Sequence, residues 1–448
     1  MNQLILKKSD KDFYFYDRIK KQIVIFPKRN FKNITLGIII DTALKIPPNT
    51  GVTYRLYYLS KKLVEKGIKV KVFLCNRNFK NDKEVKSLFE ESSLEFHIIP
   101  EKIFYDVKKL NKIIKINSID ILQVEDSESL LRCWEISRDL KIPFCLEIHD
   151  IEAYLKEMLG YHPEEVNFTK AISYFACELA EKVICTTPLD YNELIYRIRV
   201  EINKLDLIPN PIDLQEFPYY GPNLLVRNII FIGNMFYLPN QNAIKFIRER
   251  IYPKIKGVKF IAIGMVPDEI KRKFSRNNFI FTHNINNLNN VLKEATLALC
   301  PVTKGSGMKV KILNYCAAGL PVITTKIGAS GYEMVSSLIV ENDLNKYPEI
   351  INKLLDHPNK MKTIGKKNRI AMEKYYDLGK IADKMIQVYQ EILNSFHYKN
   401  TQPKDKKILE LPIPFWLREK RVKKNRNNNY YVVKNGKIIF KKEFNKIA

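Results

Sequence analysis

A chain of 448 residues is too long for one hydrophobic core and predicts two domains with additions. Its 46% hydrophobic content, with 24 Tyr and 24 Phe, is that of a globular protein. Lys+Arg 75 against Asp+Glu 49 leaves +26, which favours nucleic acid, an anionic membrane face or phosphorylated substrates, although the lysine-rich bias means charge alone selects none of them.

The seven cysteines (Cys75, Cys133, Cys145, Cys177, Cys185, Cys300, Cys316) sit in apolar segments without a CxxC pair, so they read as small buried residues of a reducing compartment. The six histidines show no metal-ligand spacing. The N-terminus MNQLILKKSDKDFYFYDRIKK lacks an apolar signal-peptide core, and no segment offers the roughly 20 apolar residues of a membrane span. A cytoplasmic location is expected, with membrane contact at most peripheral.

Residues 1–33 form an N-terminal extension with strand-like runs FYFYDR and QIVIF. Short apolar runs then alternate with amphipathic helical patterns: ITLGIII (34–40), VKVFL (70–74), IDILQV (119–124), FCLEI (144–148) and VICTT (183–187). Near-continuous apolar strands separated by helices predict a parallel sheet covered on both faces. Four prolines and a glycine in IPNPIDLQEFPYYGPNLLVRN (208–228) interrupt the pattern and mark a domain boundary. It restarts with NIIFIG (228–233), KFIAIG (259–264), NFIFT (278–282), LALCPV (297–302), PVITT (321–325) and SLIVE (337–341). The expected fold is therefore α/β, with two doubly wound Rossmann-like domains facing across a cleft. Their bounds are 34–214 and 228–376, joined by a linker at 215–227 and followed by a closing helix at 377–396.

Residues 397–448 form a basic tail; 401–448 alone hold 14 Lys+Arg against 4 Asp+Glu. The tail combines LPIPFWL with REKRVKKNR, suited to an anionic membrane surface, and YYVVKNGKIIF, a hairpin signal with Asn435-Gly436 as its turn. Packing of this tail on the folded body as an extra hairpin ranks ahead of the membrane reading. Nucleic acid ranks third, since no recognition motif accompanies the charge.

The segment KGSGMKVKILNYCAAGLPVITT (304–325) carries the most chemistry. A helix is expected from about Met308 to Ala318, capped by Gly319 and stopped by Pro321. Two lysines, Lys309 and Lys311, fall where unpaired N–H groups already make the potential positive. That placement is locally unfavourable unless an anion uses the Gly305-Ser306-Gly307 turn, the free N–H groups and both ammonium groups together. Neither GxGxxG nor GxxxxGK[ST] occurs, which argues against dinucleotide oxidoreductases and P-loop ATPases.

GSGMKVKILNYCAAGLPVITTKIGASG resembles the donor-binding signature of GT-B glycosyltransferases, specifically the large retaining group called family four. IPNPID (208–213), FIGNMFYLPNQNAIKFI (231–247), PPNTGVTYRLYYLSKKLVEKG (47–67) and LEIHD (146–150) agree with that family in order and spacing. The resemblance implies a hexosyltransferase-type enzyme whose 34–214 domain serves the acceptor and whose 228–376 domain binds a nucleotide sugar. It implies that Lys309, Lys311 and the Gly305–Gly307 backbone hold a diphosphate, with Gly51, Gly233, Asn234, Ser306 and Asn314 around the donor. His149 would line the cleft near the reacting carbon, with a satisfied loop histidine as the alternative. Glu125, Glu147 and Asp150 are acceptor-side candidates, for which capping is the alternative. Many members carry glutamates where this chain has Ser306 and Asn314. The resemblance implies a UDP- or GDP-linked sugar as substrate, a saccharide, lipid-linked or protein acceptor, and no metal or other cofactor. A catalytically degenerate GT-B partner subunit and a nucleotide-sugar epimerase are the other readings.

Overall fold

The structure, a computed structural model, describes residues 34–41, 44, 48, 50–76, 94–282 and 288–401, together with strands near each end of the chain. Strands β1 (Leu6–Lys8), β2 (Asp12–Asp17) and β3 (Gln22–Pro27) form a small antiparallel sheet.

The first large sheet contains β4 (Thr35–Ile40), β5 (Lys69–Cys75), β6 (Glu95–Ile99), β7 (Ile121–Val124), β8 (Phe144–Ile148), β9 (Lys182–Cys185) and β10 (Leu205–Leu207). All are parallel, in the order β10-β9-β8-β7-β4-β5-β6. Strands β4, β7 and β8 are buried throughout, as expected when helices cover both faces. Two strands add to those read from the sequence. In β6, EFHII, charged and apolar residues mix at a sheet edge, and β10 is only three residues, LDL.

The second sheet contains β11 (Asn228–Ile232), β12 (Lys259–Ile263), β13 (Phe279–Thr282), β14 (Leu297–Cys300), β15 (Val322–Thr324) and β16 (Ile339–Val340). Its strands are parallel, in the order β13-β12-β11-β14-β15-β16. Each apolar run expected in this half became a strand. Strand order reverses between β4 and β7 in one sheet and between β11 and β14 in the other, and such reversals leave a crevice beyond the carboxyl ends.

Three helix N-termini lie near those crevices. Helix α1 (Gly51–Glu65) follows β4 and is capped reciprocally by Thr50 and Thr53. Helix α2 (Pro188–Glu193) follows β9, with Thr187 as cap. Helix α3 (Val310–Ala317) follows β14. It begins later than the sequence suggests because Lys309 has φ −84 and ψ 89, so it caps the helix instead of joining it. Its end is as expected: Gly319 turns the chain at φ +78, and Leu320 N–H bonds back to Tyr315 O at 2.9 Å.

The chain crosses between domains twice, along adjacent paths. Ile212 N–H donates to Tyr376 O at 2.8 Å on the outward path, and Leu378 N–H donates to Ile212 O at 3.1 Å on the return. Helix α4 (Leu378–Thr401) then lies on the first domain, with Lys66–Asp383 at 2.7 Å, Lys182–Glu391 at 3.2 Å and a Tyr389 hydroxyl bond to Gln123.

Strands β17 (Tyr430–Lys434) and β18 (Lys437–Lys441) pair antiparallel with Lys434 opposite Lys437, so the hairpin read from the sequence forms. Its Asn435-Gly436 turn and the LPIPFWL-REKRVKKNR stretch lie outside the described residues. All seven cysteines are buried, and none forms a disulfide among the described residues. No helix among the described residues is long and apolar enough to cross a membrane.

Candidate active site

The loop after β14 and the start of α3 bring together most of the residues singled out from the sequence. Lys309 Nζ donates to Ser306 O and to Gly307 O at 3.0 Å, bracing the loop and leaving one of its three N–H bonds uncommitted by these contacts. Tyr332 hydroxyl donates to Lys309 O at 2.8 Å and fixes the entry to the helix. Lys311 Nζ donates to Asn240 Oδ1 at 2.8 Å and stands 4.2 Å from the Phe231 ring centroid. Burial lowers the Lys311 ammonium to about 8, with Lys309 adding to the fall.

Gly233 closes β11 beside this group. A Cβ there would lie 2.9 Å from both Lys311 Nζ and Asn240 Nδ2, so the missing side chain leaves room for the cation. Asn234 is turned onto its own backbone: its Oδ1 accepts from Phe236 N–H at 2.9 Å, while its carbonyl accepts from Asn240 Nδ2 at 2.9 Å. Asn314, one turn further along α3, is 6% exposed, and its Oδ1 has no hydrogen-bond partner among the described residues.

The first domain meets this loop directly. Gly51 opens α1 so close to Val310 that a Cβ would touch Val310 Cγ2 at 3.6 Å, placing the N-termini of α1 and α3 side by side across the cleft. Both ends present unpaired N–H groups and partial positive charge. Gly307, at φ +66, passes so near the histidine loop that a Cβ would stand 2.2 Å from His149 O and 2.5 Å from Asp150 Oδ1. Asp150 keeps an exposed face but is crowded by protein. Burial raises its carboxyl to about 6 against Lys309, helped by Asp190, and water on the exposed face screens the energetic effect.

His149, Glu125 and Glu147 lie at the ends of β7 and β8. His149 Nε2 and Glu125 Oε2 are 2.7 Å apart, with side-chain exposures of 8% and 1%. Burial alone would lower the imidazole pKa; the hydrogen bond to Glu125 and the charges of Glu125 and Glu147 outweigh it, so the cation is favoured. Burial, then Glu147, raises Glu125. Gln123 Nε2 bridges Glu125 Oε1 at 2.7 Å and Glu147 Oε2 at 2.6 Å, and its carbonyl accepts from Tyr389 of α4. Arg55 of α1, fully enclosed, bonds Glu147 through Nε and Pro209 O through Nη1 at 2.7 Å.

Glu147, expected beside the acceptor, is therefore a buried counter-ion of Arg55. Ligand atoms of Glu125, Glu147 and His149 all lie within 4.8 Å of one another, close enough to hold a cation. The spacing of histidines along the chain does not reveal this group, because it forms between adjacent strands. Those same atoms already bond Arg55, Gln123 and each other, so the charge is balanced within the protein.

Several residues of the site were not singled out from the sequence: Arg55, Gln123, Asp190, Tyr237, Asn240 and Tyr389. Tyr237 hydroxyl would lie 3.7 Å from a Cβ on Gly305, and burial, with Asp150, raises it to about 12. A polar residue inside an apolar run was the available signal for Gln123 in ILQV.

Two doubly wound domains, apposed at their carboxyl edges around a glycine loop and paired lysines, define the GT-B architecture. The model described as "Glycosyltransferase Family 4" matches residues 49–216, and that described as "Glycosyl transferases group 1" matches 226–357, together about two thirds of the chain. The chain belongs to the GT-B glycosyltransferases. Among solved structures it is similar to Anabaena HepE in complex with UDP and glucose, at 14% identity and TM-score 0.65, covering 80% of this chain and 100% of that one. Sucrose-phosphate synthase from Thermosynechococcus elongatus gives 15% identity and TM-score 0.65 over 81% and 100%. A mutant of S. aureus TarM in complex with Fondaparinux, alpha-GlcNAc-glycerol and UDP gives 12% and 0.63 over 80% and 99%. A comparison with curated protein sequences finds no match.

Proposed function

We propose that the protein transfers a sugar from a UDP- or GDP-linked donor to a saccharide, lipid-linked or protein acceptor, with retention of anomeric configuration. The 228–376 domain holds the donor and the 34–214 domain the acceptor. One observation carries the proposal: the N-termini of α1 and α3 meet across the cleft at Gly51 and Val310, with Lys309 and Lys311 beside them. Two partial positive ends and two ammonium groups in one place are poorly matched to anything but an anion of several charges.

The remaining N–H of Lys309, together with Lys311, compensates the charge that grows on the departing diphosphate as the glycosidic bond breaks. The anomeric carbon exchanges its diphosphate oxygen for an acceptor hydroxyl oxygen, whose proton is released with the products. His149, held by Glu125 through Nε2, turns its Nδ1 edge to a sugar hydroxyl. Asn314 Oδ1, buried without a partner, accepts from a ribose hydroxyl. The UDP complexes of HepE and TarM support a nucleotide ligand for this architecture.

The test is thermal unfolding with UDP and with GDP. One nucleotide is expected to raise the Tm of the wild type, and Lys309→Ala combined with Lys311→Ala to abolish the rise. A wild type unmoved by both nucleotides overturns the proposal. A panel of nucleotide sugars, assayed for hydrolysis, transfer and acceptor-free epimerisation, then identifies the donor and separates transfer from epimerisation.

A further inference from the structure

Asp190 lies outside the residues given a chemical role above, yet it is completely buried at the junction of the domains. It is the third residue of α2, and its backbone N–H is capped by Thr187 Oγ1 at 3.0 Å. A helix of that size needs no buried carboxylate for its own capping once threonine has supplied the acceptor. The Asp190 oxygens point instead into the other domain. Ser306 Oγ donates to Asp190 Oδ1 at 2.7 Å, and Gly307 N–H donates to Asp190 Oδ2 at 3.2 Å. Within its own domain, among the described residues, the carboxylate takes only the Thr187 hydroxyl, at 2.7 Å on Oδ2.

Ser306 is used twice at this point. While donating to Asp190, its hydroxyl accepts from Ile151 N–H at 2.8 Å, so one side chain joins two loops of the first domain. Next to it, Asn210 N–H reaches Met308 Sδ at 3.2 Å. Gly307 has no side chain because the histidine loop occupies the space a Cβ would need. Four successive residues of the glycine loop, 305 to 308, are thus buried, three of them held by groups from across the cleft. A buried carboxylate costs folding free energy unless hydrogen-bonded. Two of the three side-chain and loop donors that satisfy Asp190 exist only when the domains are closed on one another.

We propose that Asp190 is a positioning residue for the donor loop: it clasps Ser306 and Gly307, fixes the closed cleft, and thereby sets Lys309 where a diphosphate is held. The inference rests on the diphosphate reading above and extends it, since neither Asp190 nor the loop donors it occupies touches the ligand. Ser306, which the family resemblance places at the donor sugar, is a rivet between domains. The division of labour is physical. Ser306 hydroxyl and Gly307 N–H are spent on the clasp, while Lys309, which bonds the carbonyls of those same two residues, moves with the loop they anchor.

The test uses the full chain and four proteins: wild type, Asp190→Asn, Ser306→Ala and the double variant that combines them. Asparagine keeps the size but turns an N–H toward either the Ser306 hydroxyl or the Gly307 N–H, whereas Ser306→Ala leaves α2 and its Thr187 cap intact. UDP is titrated calorimetrically, and the radius of gyration is measured by small-angle scattering without nucleotide. Each variant is expected to bind UDP about 10- to 100-fold more weakly, as loss of a charge-assisted hydrogen bond implies, and to have a larger radius. The Asp190→Asn/Ser306→Ala double variant is expected to lose no more than the worse single. A capping role alone would lower Tm without moving either quantity in Ser306→Ala. Wild-type UDP binding with unchanged or tighter binding and an unchanged radius in both variants overturns the clasp. A wild type that binds neither UDP nor GDP in this titration defeats the diphosphate reading instead, and the radius comparison then decides the clasp by itself; if it binds GDP alone, GDP replaces UDP throughout.

Discussion

Replacing Arg55 with methionine is expected to be among the most damaging single changes in the first domain, although the residue stands on a helix rather than in a loop of the cleft. Its guanidinium is the cation beside Glu147, whose side chain is 2% exposed. It also donates to Pro209 O at 2.7 Å and lies 3.8 Å from Met385 Sδ, joining α1 to the segment after β10 and to α4. With methionine in place, Glu147 would keep one neutral donor, Gln123 Nε2, and would face Glu125 with no nearby guanidinium. Removing one member of a buried pair costs about 3–5 kcal/mol, because the other is left charged in a medium of low polarity. In a domain of this size each kcal/mol moves Tm by roughly 2–4 °C, so the transition should fall by about 6–20 °C. Differential scanning calorimetry on Arg55→Met, Glu147→Gln and the double variant decides the matter. The double variant should recover much of the loss, since an amide needs no counter-ion. An Arg55→Met cost below about 1 kcal/mol, or a double variant equal to the sum of the singles, would refute the assignment of charge compensation.

Three further outcomes are expected. Glu125→Gln should lower the His149 pKa, seen in a pH titration of labelled histidine by NMR; the wild-type value is raised above 6.5, so the pair's contribution to stability is full below that pH and fades as pH climbs through the folded value. An unchanged His149 titration contradicts this. Lys311 titrates near 8, so UDP affinity should fall by up to about tenfold per pH unit above that point, until the bound-state value is reached, and Lys311→Arg should flatten the decline. Gly233→Ala and Gly264→Ala should separate: the first presses on the flexible ends of Lys311 and Asn240 at 2.9 Å and weakens UDP binding at nearly constant Tm. The second drives a Cβ to 2.1 Å from Gly233 O at φ +133 and should lower Tm, with a cost of at least about 1–3 kcal/mol.

The strands were legible wherever burial on both faces forced an unbroken apolar run, as in ITLGIII or LALCPV. They were illegible where the sheet edge relaxed that demand, at EFHII and LDL. The loop at Gly305 to Lys311 announced itself because its glycines and lysines are neighbours in sequence. Arg55 did not: in TYRLYYLSKK it reads as one more solvated helix cation, and only Glu147, 92 positions away, explains why it is inside. Gln123 and Tyr389, 266 positions apart, illustrate the same limit. Asp190 was hidden differently, since an acidic third residue of a helix already has an ordinary explanation.

The paired passages at Ile212 and Tyr376–Leu378 have a mechanical consequence. Two lengths of backbone laced together at one spot behave as a strap hinge with two leaves: bending about a single axis stays cheap, while rotation of one lobe about the long direction must shear the lacing. Opening should therefore follow one swing, returning the glycine loop to the same berth each time. A nick in either leaf would leave the lobes tethered by the other.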